Sequence, residues 1–69
     1  MLSFAGRPRI FVASEPVDLR RGFDGLAAAT RQLILEEPLS GAIFAFLNRR
    51  RNRMKLLVWE PSGYWLLYK

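Results

Sequence analysis

One short apolar run between two polar turns constrains the fold of this chain most. Ala42 to Leu47 is apolar throughout, Ser40-Gly41 precedes it, and the polar stretch Asn48 to Arg53 follows it. Such a run is too short for a typical helix and too apolar for a loop, so we predict a central strand. It is also far shorter than the about 20 residues that a membrane-spanning helix needs, and we predict no contact with a membrane.

The residues that follow this run predict a three-strand meander. Met54 to Trp59 is typical of a strand, Glu60 to Gly63 is a strong turn signal, and Tyr64 to Tyr68 suits a pleated sheet. The last strand would form an apolar edge that an intact domain normally covers or charges. The end of the chain at Lys69 therefore predicts a domain truncated at its C-terminus.

The residues before the run predict one strand and one helix. Arg9 to Ala13 is β-branched and aromatic, and proline lies on both sides of it. Asp18 is predicted to be the N-cap of an amphipathic helix that extends to about Leu35, and Pro38 ends it. This order predicts a single small α+β domain over residues 1–69, with an antiparallel sheet and one helix packed on one face.

Two glycines lie in the first turns of this predicted helix. Gly22 and Gly25 each lower helix stability by about 1 kcal/mol relative to alanine. A close backbone approach, a bound ligand or a later start of the helix would each explain them. Their spacing matches neither the Walker pattern nor the dinucleotide-binding fingerprint, so nucleotide binding is not predicted.

The absent residue types argue against catalysis. The 69 residues include neither histidine nor cysteine, which removes the commonest general base, the commonest nucleophile and most transition-metal ligands. Asp18, Asp24, Glu36 and Glu37 do not converge at helical spacing, and we interpret them as a helix cap, a first-turn dipole partner and two solvated charges. We therefore predict a protein that is not an enzyme, with no catalytic residue, no metal site and no cofactor.

The cations indicate a polyanionic partner. Eleven Lys and Arg against six Asp and Glu give a net charge of +5, and arginine, which dominates the cations, matches phosphate with a planar fork of donors. Four arginines fall within five positions at the tip of the predicted hairpin. The predicted nucleic-acid-binding residues are Arg49, Arg50, Arg51, Arg53, Lys55, Arg20 and Arg21. The alternative is a solvated loop that keeps the hairpin soluble.

Other residues could extend this basic surface. Arg7 and Arg9 would do so if the fold brought them close to it. Aromatic residues also interleave with the cations, and they could stack on the bases of single-stranded DNA or RNA. Packing in the core is the preferred interpretation for them. The aromatic residues in question are Trp59, Tyr64, Trp65 and Tyr68.

Two stretches together resemble a known family. Asp18 to Leu26 contains the Arg-Arg-Gly-Phe-Asp-Gly-Leu motif, and Asn48 to Arg53 contains the arginine turn; Phe44, Phe46, Lys55, Trp59, Gly63, Trp65, Leu66, Tyr68 and Lys69 add to the pattern. The combination resembles the accessory protein of insertion-sequence-sixty-six transposons, the TnpB-type product of the second open reading frame. Family members usually continue beyond the position of Lys69, and Glu60-Pro61 departs from the more usual aspartate and glycine.

The resemblance implies a role in DNA transposition beside a separate, larger transposase, with no catalytic residue in this protein. We predict that the arginine turn contacts DNA phosphates. The alternative is an adaptor that binds the transposase or a sister subunit through the exposed C-terminal strand, which would also allow self-association. Met1 to Gly6 does not resemble a secretory signal, so we predict a cytoplasmic protein.

Overall fold

The protein is described by a computed structural model that covers residues 9–69. Its elements in chain order are β1 (Ile10–Val12), α1 (Phe23–Ala29), a π-helical turn (Thr30–Ile34), a 3-10 turn (Pro38–Ser40), β2 (Ile43–Leu47), β3 (Met54–Glu60) and β4 (Gly63–Tyr68). These elements form a small α+β fold, which confirms the predicted class. No helix within residues 9–69 is long and apolar enough to cross a membrane.

The four strands form one mixed sheet in the order β1-β2-β3-β4. The antiparallel meander β2-β3-β4 is confirmed, and β2 is central because β1 and β3 pair with it. The pairing of β1 with β2 is parallel, whereas the sequence predicted an antiparallel sheet. The reason is the crossover through α1, which returns the chain to the end of the sheet where β1 began, so that β2 runs in the same direction.

The helix begins later than predicted. Gly22, with an extended backbone, is the N-cap of α1, and the prediction that Asp18 caps the helix is wrong. The Asp18 carboxylate instead accepts a hydrogen bond from the Arg20 backbone N–H at 3.0 Å, which holds residues 18–20 in a turn. The late start explains Gly22, and a close approach explains Gly25, because a Cβ there would lie 2.9 Å from Cβ of Arg21.

The helix ends where the sequence predicts. After Ala29 it widens into the π-helical turn, in which the Leu35 N–H donates to the carbonyl of Thr30 at 2.9 Å. The Thr30 hydroxyl donates to the Leu26 carbonyl at 2.8 Å, and this side-chain bond accompanies the change in helical pitch. Leu35 then adopts a left-handed conformation with φ of 62°, which terminates the helix.

The core lies between the helix and one face of the sheet. Phe44 and Phe46 of β2 and Leu57 of β3 are fully buried there, and Leu26 of α1 packs with them. Phe11 of β1 stacks on Phe44, with ring centroids 5.6 Å apart. Because side chains alternate along a strand, this face uses every second residue of β2 and β3.

The opposite face of the sheet, here called the open face, is also apolar. One cross-strand row of this face comprises Val12, Ala45, Leu56 and Leu67. Its two ends are exposed, since Val12 is 58% and Leu67 is 40% accessible to solvent. The strongest exposure of this row therefore lies at the two edges of the sheet.

Candidate nucleic-acid interface

The loop of residues 48–53, here called the arginine loop, joins β2 to β3. Asn48 organises it, because its Oδ1 accepts hydrogen bonds from the backbone N–H groups of Asn52 at 3.1 Å and Arg53 at 3.2 Å. The Asn48 amide group donates to Oδ1 of Asn52 at 2.7 Å, and the Arg51 N–H donates to the Asn48 carbonyl at 3.0 Å. The loop is thus held by asparagine and backbone groups, which leaves its arginine side chains available to a ligand.

The arginines of the loop have no carboxylate partner among residues 9–69. The ion pairs found there join Arg9 to Glu36, Arg20 to Asp18 and Arg31 to Glu37. All four loop arginines, at positions 49, 50, 51 and 53, are exposed. Four neighbouring guanidinium groups without a counter-charge repel one another, and an anion such as phosphate would relieve that repulsion.

Arg51 holds an unusual backbone conformation in this loop. Its φ of 57° is left-handed, a region that glycine and asparagine occupy more readily than arginine. Arg51 also lines a groove with Glu15 and Asn48, although it forms no ion pair with Glu15 in the described part of the chain. The loop therefore places a strained arginine beside the end of β1.

Arg20 is engaged by Asp18. Its Nη2 lies 2.9 Å from Oδ2 of Asp18, and its Nε donates to both carboxylate oxygens at 3.1 and 3.2 Å. These hydrogen bonds, with that from the Arg20 backbone, lower the pKa of Asp18 from its usual 3.8 to about 2 and raise the pKa of Arg20. A phosphate would have to compete with Asp18 for this guanidinium.

Lys55 joins three elements at one point of the sheet. Its Nζ donates to the backbone carbonyl of Arg21 at 3.1 Å and lies 5.4 Å from the centre of the Tyr68 ring. It is half-buried and bonded within the protein, unlike the arginines of the loop. Its contribution is to hold the segment that contains Arg20 and Arg21 against β3 and β4.

The structure brings all seven predicted residues to one end of the sheet, here called the basic end. Val17 donates its N–H to the Leu47 carbonyl at 2.9 Å, which holds residues 17–21 close to the arginine loop. Lys69 also lies at this end, because its backbone pairs with Met54. The basic end thus comprises Arg20, Arg21, Arg49, Arg50, Arg51, Arg53, Lys55 and Lys69, with Glu15 and Asp18 as its acidic neighbours.

The opposite end of the sheet has a different charge. Arg9 precedes β1 there and pairs with Glu36 at 4.0 Å, so the fold does not bring Arg9 close to the basic surface and Arg9 does not extend it. The reason is that β1 runs parallel to β2 and therefore starts at the end remote from the arginine loop. Arg7 lies outside the described residues. Arg31 pairs with Glu37 at 3.4 Å, and Glu60 adds a further carboxylate to this end.

The aromatic residues pack mainly on one another. Phe23 of α1 stacks on Tyr64 at 4.4 Å between ring centroids and lies 5.9 Å from Trp59. The Trp65 indole N–H donates to Oε2 of Glu60 at 2.9 Å. Tyr68, which is 61% exposed and close to Lys55, is the aromatic ring that the basic end offers to a base. An extended stacking platform for single strands is thus absent from residues 9–69.

Glu60 gives a pH-dependent signal at the turn between β3 and β4. Hydrogen bonds from the Ser62 hydroxyl and then from the Trp65 indole lower the pKa of Glu60 below its usual 4.5. Its stabilising contribution is therefore present above about pH 4.5 and is lost as the pH falls through the lowered pKa. We expect the Trp65 indole N–H resonance to titrate with a midpoint below 4.5 in an NMR pH series.

The control for this titration is the Glu60→Gln variant, in which the acid transition of the Trp65 resonance should disappear. Trp59, whose indole makes no hydrogen bond to a carboxylate among residues 9–69, should not follow the transition. A midpoint at or above 4.5 would contradict the assigned hydrogen bonds.

Two residues of this site were not predicted from the sequence. Asn48 braces the arginine loop, and the signal was available, because asparagine at the first position of a turn commonly accepts from backbone groups further along it. Lys69 belongs to the basic end only through its pairing with Met54, and no local sequence pattern predicts that pairing. No group of three or more His, Cys, Asp or Glu within residues 9–69 could hold a metal ion.

The fold and the charge distribution define a small basic α+β protein in which most of the cations lie at one end of the sheet. A family model described as "IS66 Orf2 like protein" matches residues 8–69, and the chain belongs to this family. The resemblance of the Asp18 to Leu26 and Asn48 to Arg53 segments is thereby confirmed.

Two similar proteins come from Sinorhizobium fredii (strain NBRC 101917 / NGR234). "Uncharacterized protein y4jC" is 44% identical over 55 residues, which are 80% of this chain and 47% of that protein. "Uncharacterized protein y4hO" is 29% identical over 69 residues, which are 100% of this chain and 60% of that protein. The chain thus spans about half the length of these relatives. No solved structure matches the chain.

Proposed function

We propose that this protein is a non-catalytic accessory protein of transposition that binds DNA by contacting phosphates with the arginine loop. The observation that supports this proposal is the set of four exposed arginines that have no carboxylate partner among residues 9–69, on a loop that Asn48 braces. Guanidinium groups bind phosphate through paired hydrogen bonds, and a braced loop loses little conformational freedom when it binds. A DNA partner implies a cytoplasmic location, which forms part of the proposal.

The geometry favours contacts to the DNA backbone over recognition of bases. The only α-helix within residues 9–69, α1, has seven residues and packs its apolar side on the sheet, so no long exposed helix is available there to enter the major groove. Phosphate contacts from a loop position a protein on a duplex without distinguishing its sequence. We therefore expect binding with weak sequence preference.

Fluorescence anisotropy with a labelled duplex at several salt concentrations tests this proposal. If phosphate contacts dominate, the logarithm of the binding constant should fall linearly with the logarithm of the salt concentration, by about 0.9 for each contact. Undetectable or salt-independent binding would contradict the proposal. A single strand of equal length serves as the comparison, and tighter binding to it would favour the RNA-binding or single-strand alternative.

An adaptor that binds the transposase is the second candidate. The observation in its favour is β4, an edge strand on which Tyr64, Leu67 and Tyr68 are exposed. Co-purification with the transposase of the same element separates the two proposals. A complex that survives loss of the loop arginines but not a change in β4 would favour the adaptor.

A further inference from the structure

Along the outer edge of the sheet, the backbone of β4 has a regular set of hydrogen-bonding groups that have no partner among residues 9–69. Met54 and Lys69 exchange both of their backbone hydrogen bonds, at 2.9 and 3.0 Å. Such pairs alternate along an antiparallel ladder, so Gly63, Trp65 and Leu67 also direct their backbone groups to β3. The backbone N–H and C=O groups of the intervening residues, Tyr64, Leu66 and Tyr68, consequently point away from β3 toward the outer edge.

Within residues 9–69, β4 has none of the features that usually protect an edge strand. Gly63–Tyr68 contains no charged residue and no proline, and three of its side chains are exposed apolar or aromatic groups. The other edge strand differs, because β1 is three residues long and lies between Pro8 and Pro16 in the sequence. The two edges are therefore unequal, and β4 is the one suited to pairing.

We propose that a second copy of this chain pairs with β4, antiparallel and around a two-fold axis at Leu66. The two Leu66 residues would then exchange backbone hydrogen bonds, and Tyr64 of each copy would do so with Tyr68 of the other. This register uses every outward-facing group of both strands. An axis at Trp65 leaves the Tyr68 groups opposite the turn, and an axis at Leu67 leaves the Tyr64 groups beyond the strand.

The side chains in this register are compatible with one another. On the open face Trp65 lies beside Leu67 of the second copy, which covers the exposed end of that face. On the helix side Tyr64 lies beside Tyr68 of the second copy, an aromatic pair of the kind that stabilises neighbouring strands.

Charge also favours this register. Lys69 of one copy lies opposite Gly63 of the other, and Gly63 pairs with Glu60 across the ladder to β3. Glycine has no side chain to separate the two, so Lys69 can approach the Glu60 carboxylate on the open face. The end of each sheet that carries Lys69 thus meets the end of the other sheet that carries Glu60.

The paired sheet would place the two arginine loops at opposite ends of an eight-stranded sheet, twice the four strands of one copy. The short β1 strands would form its outer edges and limit further growth. Each loop would then face a separate stretch of DNA. This last consequence rests on the proposed function, whereas the pairing itself does not.

Single cysteines test the register directly, because the chain has no cysteine of its own. In the proposed dimer the Cα atoms of the two residues at position 66 are about 5.5 Å apart, within the range that a disulfide spans. Under mild oxidation Leu66→Cys should form a covalent dimer faster than Trp65→Cys, Leu67→Cys or Tyr68→Cys. Tyr68→Cys is a stringent control, since position 68 is well exposed but its two copies would be about 13 Å apart along the strand.

Sedimentation equilibrium over a concentration series gives the second test, and its first measurement uses the unaltered chain. We expect a reversible equilibrium between monomer and dimer. Leu67→Lys should weaken the dimer by roughly tenfold or more, because a two-fold interface repeats each lost contact. The matched control is Leu35→Lys, which changes a more exposed leucine remote from β4 and should leave the dimer unchanged.

Three results would overturn the proposal. A chain that stays monomeric at every concentration has no such interface. Fastest cross-linking at position 65, 67 or 68 would exclude the register around Leu66. Equal weakening by Leu67→Lys and Leu35→Lys would show association through general apolar contact. None of these outcomes depends on DNA, so they leave the proposed function to be judged by its own salt titration.

Discussion

Replacing Arg49, Arg50, Arg51 and Arg53 together with alanine is expected to lower the salt slope of DNA binding by up to about 3.6. The physical reason is that each arginine that neutralises a phosphate releases condensed counterions from the DNA. The range from 1 M to 0.1 M salt is tenfold. Over that range, a slope change of this size corresponds to a roughly thousandfold or greater loss of affinity at 0.1 M salt. The fold should persist, because all four side chains are exposed and the loop is held by Asn48.

A matched pair of double variants separates the position of the charge from its amount. Arg49→Ala with Arg50→Ala removes two cations from the basic end, whereas Arg9→Ala with Arg31→Ala removes two from the opposite end. The first pair should lower the slope by about 1.8 and the second should leave it nearly unchanged. Equal effects would show that net charge alone attracts DNA, and they would contradict a site at the arginine loop.

Arg51→Gly separates binding from folding within the same experiment. The backbone at position 51 has a left-handed conformation, in which glycine avoids a steric cost of about 1 kcal/mol that arginine bears. This variant is expected to keep or raise the free energy of unfolding measured with urea, while its salt slope falls by about 0.9. Parallel losses of stability and affinity would instead mean that Arg51 supports the loop structurally.

The parts of the fold that depend on neighbouring residues could be predicted from the sequence. The hairpins β2-β3 and β3-β4 follow from short apolar runs separated by strong turn residues, and both are present. The direction of β1 could not be predicted in this way, because it depends on how the chain crosses the sheet between residues 13 and 42. Local patterns contain little information about such a crossover.

The start of the helix shows a competition that the sequence alone does not resolve. Asp18 is a suitable N-cap by residue type, yet it is equally suited to bond the backbone and the guanidinium of Arg20 two positions on. The second arrangement prevails, and Gly22 caps the helix instead. The same interaction removes Arg20 from the freely available cations.

The candidate site likewise combines features that are local in the sequence with features that depend on tertiary packing. The density of arginine at positions 49–53 is a local property, and the exposure of those residues follows from their place at the tip of a hairpin. The contact of Lys55 with the Arg21 carbonyl spans 34 positions in sequence and depends on tertiary packing. The sequence therefore indicates the cations of the basic end but does not distinguish those that already have a partner within the protein from those available to phosphate.

Replacing Phe44 with alanine is expected to remove a large share of the free energy of unfolding of the protein. Phe44 is completely buried at the centre of the core, stacked on Phe11, and it lies on the central strand of the sheet. Loss of a buried phenylalanine costs about 3–5 kcal/mol through lost transfer energy and the cavity that remains. A domain of this size has a total stability of only about 3–10 kcal/mol.

Circular dichroism and urea titration measure this effect, with Leu35→Ala as the matched control. Leu35 is 77% exposed, so the control removes apolar carbon atoms that were already in contact with solvent. The free energy of unfolding of the control should therefore change by less than about 0.5 kcal/mol. All samples need one protein concentration, because any dimer through β4 would make stability depend on concentration. A Phe44→Ala protein as stable as the control would mean that the sheet and helix do not share the core described here.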